Sequence, residues 1–153
     1  KRRHTCADTV CWPRRCVQAT AYEVRETLEI MAIRKAARRI TPLQICMLQE
    51  QINAEREIFI KKDLESYLKV NDDFHIIIAE SSGNSTLAGY VRNILSRTFV
   101  QMIFFESFFD FDTNPSLEEH ITILEALKAH DEEKCAELIS EHLRLSMEGL
   151  KAE

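Results

Sequence analysis

Apolar residues recur along this chain at intervals of three and four, in stretches that end at short polar or proline-containing breaks. From Ala21, a helical face runs through Val24, Leu28, Met31, Ala32 and Ala36 until Thr41-Pro42 stops it, because the residue before a proline is steered away from helical geometry. Pro42 suits the first turn of a second helix reaching about Ile60, with Ile45, Leu48, Ile52 and Ala54 as its apolar members. Asp63 can cap a third helix that carries Tyr67, Leu68, Phe74, Ile77 and Ile78 and closes at Ser81-Ser82-Gly83. Asn84 opens a fourth, over roughly 84 to 109, with Leu87, Val91, Ile94, Thr98, Gln101 and Phe105 on one strip and Arg97 alongside. A polar turn then leads to a fifth helix over about 117 to 129, where Ser116 and Glu119 have capping-box spacing, and Asp131 caps a sixth over about 131 to 151. The expected fold is all-α, an antiparallel bundle of about six helices.

Several polar residues interrupt the apolar stripes. Asn71 and His75, four residues apart, share a face with Leu64, Leu68 and Ile78; His120 lies in line with Leu124 and Leu127, and His142 with Leu138 and Ile139. The short link between the last two helices makes them antiparallel neighbours, and His120 and His142 stand at similar distances on either side of it, hence at one level of the bundle. Three imidazoles and one oxygen donor form a ligand set for a divalent ion such as zinc or nickel. The oxygen would come from the Asn71 amide, a weaker donor than a carboxylate because it brings no charge, with Asp72 as the other candidate. The plain alternative for each histidine is a hydrogen-bonded core residue. Arg25 sits at the edge of the first helix's face, able either to send its guanidinium into the interior or to pair at the surface with Glu29 at i+4.

Composition narrows the function. The 153 residues suffice for one domain with a single core. A net charge of −5 argues against nucleic-acid binding by this chain alone, since phosphate contacts need a basic face. Only three glycines and three prolines leave too little punctuation for a many-stranded protein. No apolar run is long enough to span a membrane and no secretory signal is present, so the reading is cytoplasmic. Residues 1–19, with Cys6, Cys11 and Cys16 among arginines and Trp12, lack a hydrophobic period and read as a leader or linker before a domain over 20–153. Cys46 and Cys135 fall where a small buried residue would serve. The aromatic cluster Phe104, Phe105, Phe108, Phe109 and Phe111 suggests core or subunit interface, and with it a homodimer. A di-iron carboxylate bundle would need Glu-x-x-His, which none of the three inward histidines has. A small metal-dependent hydrolase using a His-bound zinc water is the alternative from another class, with only Asp72 or Asp73 as base.

In combination, Tyr22-Glu23-Val24-Arg25-Glu26-Thr27-Leu28-Glu29, Asn71-Asp72-Asp73-Phe74-His75 with Gly83-Asn84, and Glu119-His120-Ile121-Thr122-Ile123-Leu124-Glu125-Ala126-Leu127 with Asp131 and His142 resemble the effector-binding (FCD) domain of GntR-type transcriptional regulators of the FadR subfamily, over about residues 20 to 151. Six helices rather than seven looks like the VanR-type branch. The resemblance implies a dimeric helical bundle that in many members holds a divalent metal with an aspartate and three histidines, here matched by His75, His120 and His142 with Asn71 at the aspartate position. It also implies small carboxylate effectors that meet arginine, for which Arg25 and Arg97 are the matching candidates. Operator DNA would be reached only through a winged helix-turn-helix domain not present in this chain.

Overall fold

A computed structural model of the chain describes the backbone at residues 7–102 and 114–149, and side chains at 20–98, 114 and 116–147. Six helices follow one another: α1 (Ala7–Ala37), α2 (Pro42–Lys61), α3 (Leu64–Ser81), α4 (Ser85–Met102), α5 (Pro115–Lys128) and α6 (Glu132–Gly149). The described residues form an all-α bundle.

Most boundaries follow from local chemistry. Thr41 accepts from the Gln44 backbone N–H while the Gln44 side chain returns to the Thr41 N–H, a closed capping box with Pro42 in the first turn. Asp63 caps α3 through Ser66 N–H at 3.1 Å, Asn84 caps α4 through Leu87 N–H at 3.1 Å, and Asp131 caps α6 through Lys134 N–H at 3.0 Å. Gly83, at φ 66°, turns the chain between α3 and α4 in a conformation that favours glycine.

Helix α1 packs against α3, α4 and α6, while α2 packs on α3 and α5, and α5 on α6. The main core joins Ile33 and Ala37 of α1, Leu48 and Ile52 of α2, Phe74 and Ile78 of α3, Leu124 and Leu127 of α5 and Ile139 of α6. A second cluster, Ala32, Ala79, Leu87, Val91 and Leu95, closes the joint between α1, α3 and α4.

Four expectations are corrected. Helix α1 starts at Ala7 rather than near Ala21. Its buried face is also rotated: Val24 and Met31 are each 47% exposed, whereas Tyr22, Arg25, Glu29 and Ile33 are buried, because the charged pair finds its partners inside the bundle. The cap of α5 is Asn114, not Ser116, whose N–H donates to the Asn114 side chain at 3.1 Å; Pro115 fills the first helical position and leaves Glu119 free for another task. Cys46 is exposed, while Cys135 is buried in the core. The phenylalanine cluster from Phe104 to Phe111 lies outside the described residues, as do the side chains of Cys6, Cys11 and Cys16.

Candidate metal centre

His75 on α3, His120 on α5 and His142 on α6 project from three helices into one point of the interior, each at most 2% exposed. Ring centroids are 5.5 Å apart for His75 and His120, 5.1 Å for His75 and His142, and 4.7 Å for His120 and His142. One ring nitrogen from each lies within 4.8 Å of the others. The placement is a consequence of period: each histidine stands on the stripe its helix buries, and Phe74 stacks on His120 at 4.2 Å to hold that ring.

Each imidazole is oriented by its own carboxylate. His75 Nδ1–H donates to Glu29 Oε2 at 2.5 Å, His120 Nδ1–H to Glu55 Oε2 at 2.8 Å, and His142 Nδ1–H to Glu119 Oε2 at 2.6 Å. An ionised carboxylate only accepts, so these bonds place the proton on Nδ1 and leave a lone pair on every Nε2. Carboxylate-backed imidazoles of this kind are the usual supporting arrangement of histidine metal ligands.

The lone pairs are not satisfied by the protein. His75 Nε2 and His142 Nε2 face each other at 3.3 Å, two acceptors with no proton between them in that tautomer. His120 Nε2 is buried without a hydrogen-bond partner, and so is Oδ1 of Asn71, one helical turn before His75 on α3. Burial, followed by the neighbouring histidines, keeps His142 well below its ordinary value; burial also lowers His75 despite Glu29. A shared proton is therefore disfavoured, and the unfilled lone pairs are of the kind a divalent ion accepts. Two nitrogens about 2.0–2.1 Å from one ion at tetrahedral angles stand roughly 3.3–3.4 Å apart, the separation seen here. The residues fit a divalent metal.

Arg25 is the interior cation beside the histidines. Its Nε donates to Glu29 Oε1 at 2.5 Å and its Nη1 lies 3.4 Å from Thr98 Oγ1 on α4, with the guanidinium 5.7 Å from the Tyr22 ring centroid. Arg25 thus enters the interior and its Glu29 partner goes with it, so the surface pairing does not form. Burial alone would raise the Glu29 carboxyl, but His75 and Arg25 outweigh it and hold it at about 2. Glu55 is likewise lowered against its burial, by His120, Asn114 and Tyr67.

The other candidates are placed elsewhere. Asp72 is outside the ligand cluster and lines a groove of roughly 280 Å³ between α3 and α4 with Lys69, Asp73 and Arg92; burial pushes its carboxyl up to about 6. Arg97 is exposed on α4 and its Nε donates to Asn93 Oδ1 at 3.3 Å, so it is not brought to the histidines. The three glutamates are the functional side chains the sequence reading missed. Glu29 and Glu55 had a signal, since each falls on its helix's buried stripe, in line with Ala32 and Ala36 or with Leu48 and Ile52. Glu119 had none, because it is only partly buried and stands beside, not on, the apolar stripe of its helix.

A family model described as the FCD domain matches residues 20–145. The chain belongs to the FCD domain family. The curated relatives it matches are named as transcriptional regulators, several of them of the HTH type. It is 23% identical over 130 residues to the HTH-type transcriptional repressor RspR of Escherichia coli, covering 84% of this chain and 56% of that protein. It is 27% identical over 119 residues to the HTH-type transcriptional regulator McbR of E. coli, covering 77% and 54%. It is 29% identical over 124 residues to the Nta operon transcriptional regulator of Aminobacter aminovorans, covering 80% and 56%. The chain thus spans a little over half the length of the curated relatives it matches. Among solved structures, E. coli McbR/YncC superposes with a TM-score of 0.76 at 23% identity, over 87% of this chain and 67% of that one. Streptococcus agalactiae GntR gives 0.71 at 20% identity, over 88% and 58%. These two likenesses concern the fold. These curated relatives carry the names of transcriptional regulators, not of enzymes.

Proposed function

We propose that this FCD domain is the sensing and dimerisation part of a cytoplasmic bacterial transcription regulator of the VanR-like branch, binding one divalent metal, zinc or nickel, and a small carboxylate. His75, His120 and His142 hold the ion through Nε2, and Asn71 supplies a neutral oxygen. When bound, the ion offers a Lewis-acidic position that a carboxylate oxygen can occupy. Glu29, Glu55 and Glu119 keep the three imidazoles in the ligating tautomer, and Arg25 supplies the cation that an anionic effector meets. Six helices among the described residues support the branch.

The observation that carries this reading is the convergence of three Nε2 lone pairs, each set by a carboxylate on the opposite nitrogen. Exposed Val24 and Met31 on one face of α1, with exposed Tyr90 on α4, support a second copy as partner. A carboxylate that prefers one arrangement of the two copies would shift that arrangement by its differential affinity, and so change how a DNA-binding domain outside these 153 residues engages its operator.

Thermal unfolding after chelator treatment tests it. Zinc or nickel at 100 times its dissociation constant should stabilise by about 2.7 kcal/mol, and a panel of carboxylates should add a further rise only in the metal-loaded protein. Equal carboxylate effects with and without metal would contradict the proposal.

A further inference from the structure

The three carboxylates behind the histidines are held in three different ways. Glu29 is paired with Arg25, and Glu119 is partly open to solvent, its side chain 26% exposed. Glu55 is 1% exposed, and the groups shown bonding it are His120, Asn114 and Tyr67, none of them a fixed cation. Its Oε2 accepts from His120 Nδ1–H at 2.8 Å, while Oε1 accepts from Asn114 Nδ2 at 2.8 Å and from the Tyr67 hydroxyl at 3.1 Å. A buried carboxylate bonded only to neutral donors gains most from positive charge delivered through its imidazole partner, because attraction is strong where water is excluded.

Asn114 has a second task. Its Oδ1 accepts from the Ser116 backbone N–H at 3.1 Å as the cap of α5, and the Tyr67 hydroxyl stands 3.0 Å from that same oxygen. One side chain therefore joins the carboxylate behind His120 to the first turn of α5, and one hydroxyl proton lies between two acceptors, Glu55 and Asn114. We propose that Glu55 is the positioning residue of the centre and that Glu55, Tyr67 and Asn114 tie its occupancy to the N-terminal turn of α5. The proposal rests on the metal reading above. Charge on His120 Nε2 makes its Nδ1–H a stronger donor, tightens the bond to Glu55 and so fixes the Asn114 side chain that caps the helix.

Amide exchange with and without saturating zinc, on the chain and on Glu55→Gln and Tyr67→Phe, tests it. In the parent protein zinc should slow exchange at Ser116, Leu117 and Glu118 about tenfold or more, while Gln44, at the separately capped start of α2, stays unchanged. Glu55→Gln should still bind zinc, about 10–100-fold more weakly, with the change at 116–118 largely lost. Tyr67→Phe, which removes one oxygen and keeps the cap, should show a reduced change. A purely structural network predicts the same zinc-dependent slowing in all three proteins, which would overturn the proposal, as would zinc bound to the parent with no slowing at 116–118. If the parent binds no zinc, the metal reading itself fails along with it.

Discussion

Helix α1 and the turn that follows it carry arginine–glutamate pairs at two levels, built from the same chemistry in opposite surroundings. Toward its C-terminal end, Arg34 meets Glu133 and Arg38 meets Glu132 across to the start of α6, with the Arg38 side chain 71% exposed and that of Glu133 74% exposed. Two to three turns earlier, Arg25 and Glu29 make their pair with side chains 3% and 4% exposed. Exposed pairs are screened and must order two long side chains, so their net effect is small. A buried pair costs several kcal/mol in desolvation, and apolar residues of similar size would often hold the bundle as well or better. The inner pair is thus poorly explained by stability alone. Its third member, His75, says what it is for: Glu29 sets the imidazole, and Arg25 balances Glu29.

That contrast can be broken experimentally. The largest effect should come from Arg25→Met, which strands Glu29 in the interior: denaturant unfolding should show a loss of about 3–5 kcal/mol, much of it recovered by adding Glu29→Gln. An additive double variant would mean that the two residues do not act as a pair.

A smaller effect concerns acid. Burial lowers His75 and His142, so as pH falls below about 6.5 the unfolded chain takes up protons that the folded chain refuses, and stability is lost on acidification. Asp72 works the other way: raised to about 6, it contributes stability that is present at low pH and lost as pH rises through that value. Partly exposed Glu119, also raised, acts in the same sense as Asp72. Two histidines against two carboxyls, at no more than about 1.4 kcal/mol per pH unit each, leave the net loss concentrated between about pH 6.5 and 6 in metal-free protein, before Asp72 takes up its proton. Stability that rises on acidification across that window would show that the histidines are not buried neutral.

The smallest effect belongs to the outer pairs. Arg34→Ala and Arg38→Ala should leave Tm within experimental error at ordinary ionic strength. A large drop in either would erase the distinction between the inner and the outer pairs.

The fold was legible because its signals are local. Period, the break at Thr41-Pro42, the opening at Asn84 and the caps at Asp63 and Asp131 are read from neighbours within one turn. The three histidines were legible for a related reason: a titratable residue on an apolar stripe stands out, and the short turn between α5 and α6 levels His120 with His142. The rotation of α1 was not, because the stripe was judged by hydrophobicity and the true buried face contains Arg25 and Glu29, whose charges are answered by other helices. The start of α5 was misassigned to Ser116 because two cap-competent side chains, Asn114 and Ser116, flank one proline. Glu119 stayed hidden because, partly exposed, it does not stand out on an apolar stripe as Glu29 and Glu55 do.

The most direct test is calorimetric titration of zinc or nickel into chelator-treated protein near pH 7.5, alongside His120→Ala and His130→Ala. One ion per chain should bind the parent and His130→Ala alike, since His130 instead donates to the Ala37 carbonyl at 2.7 Å at the far end of α1. His120→Ala should lose that binding or weaken it by orders of magnitude; unchanged stoichiometry and affinity in His120→Ala would contradict the assignment of the centre.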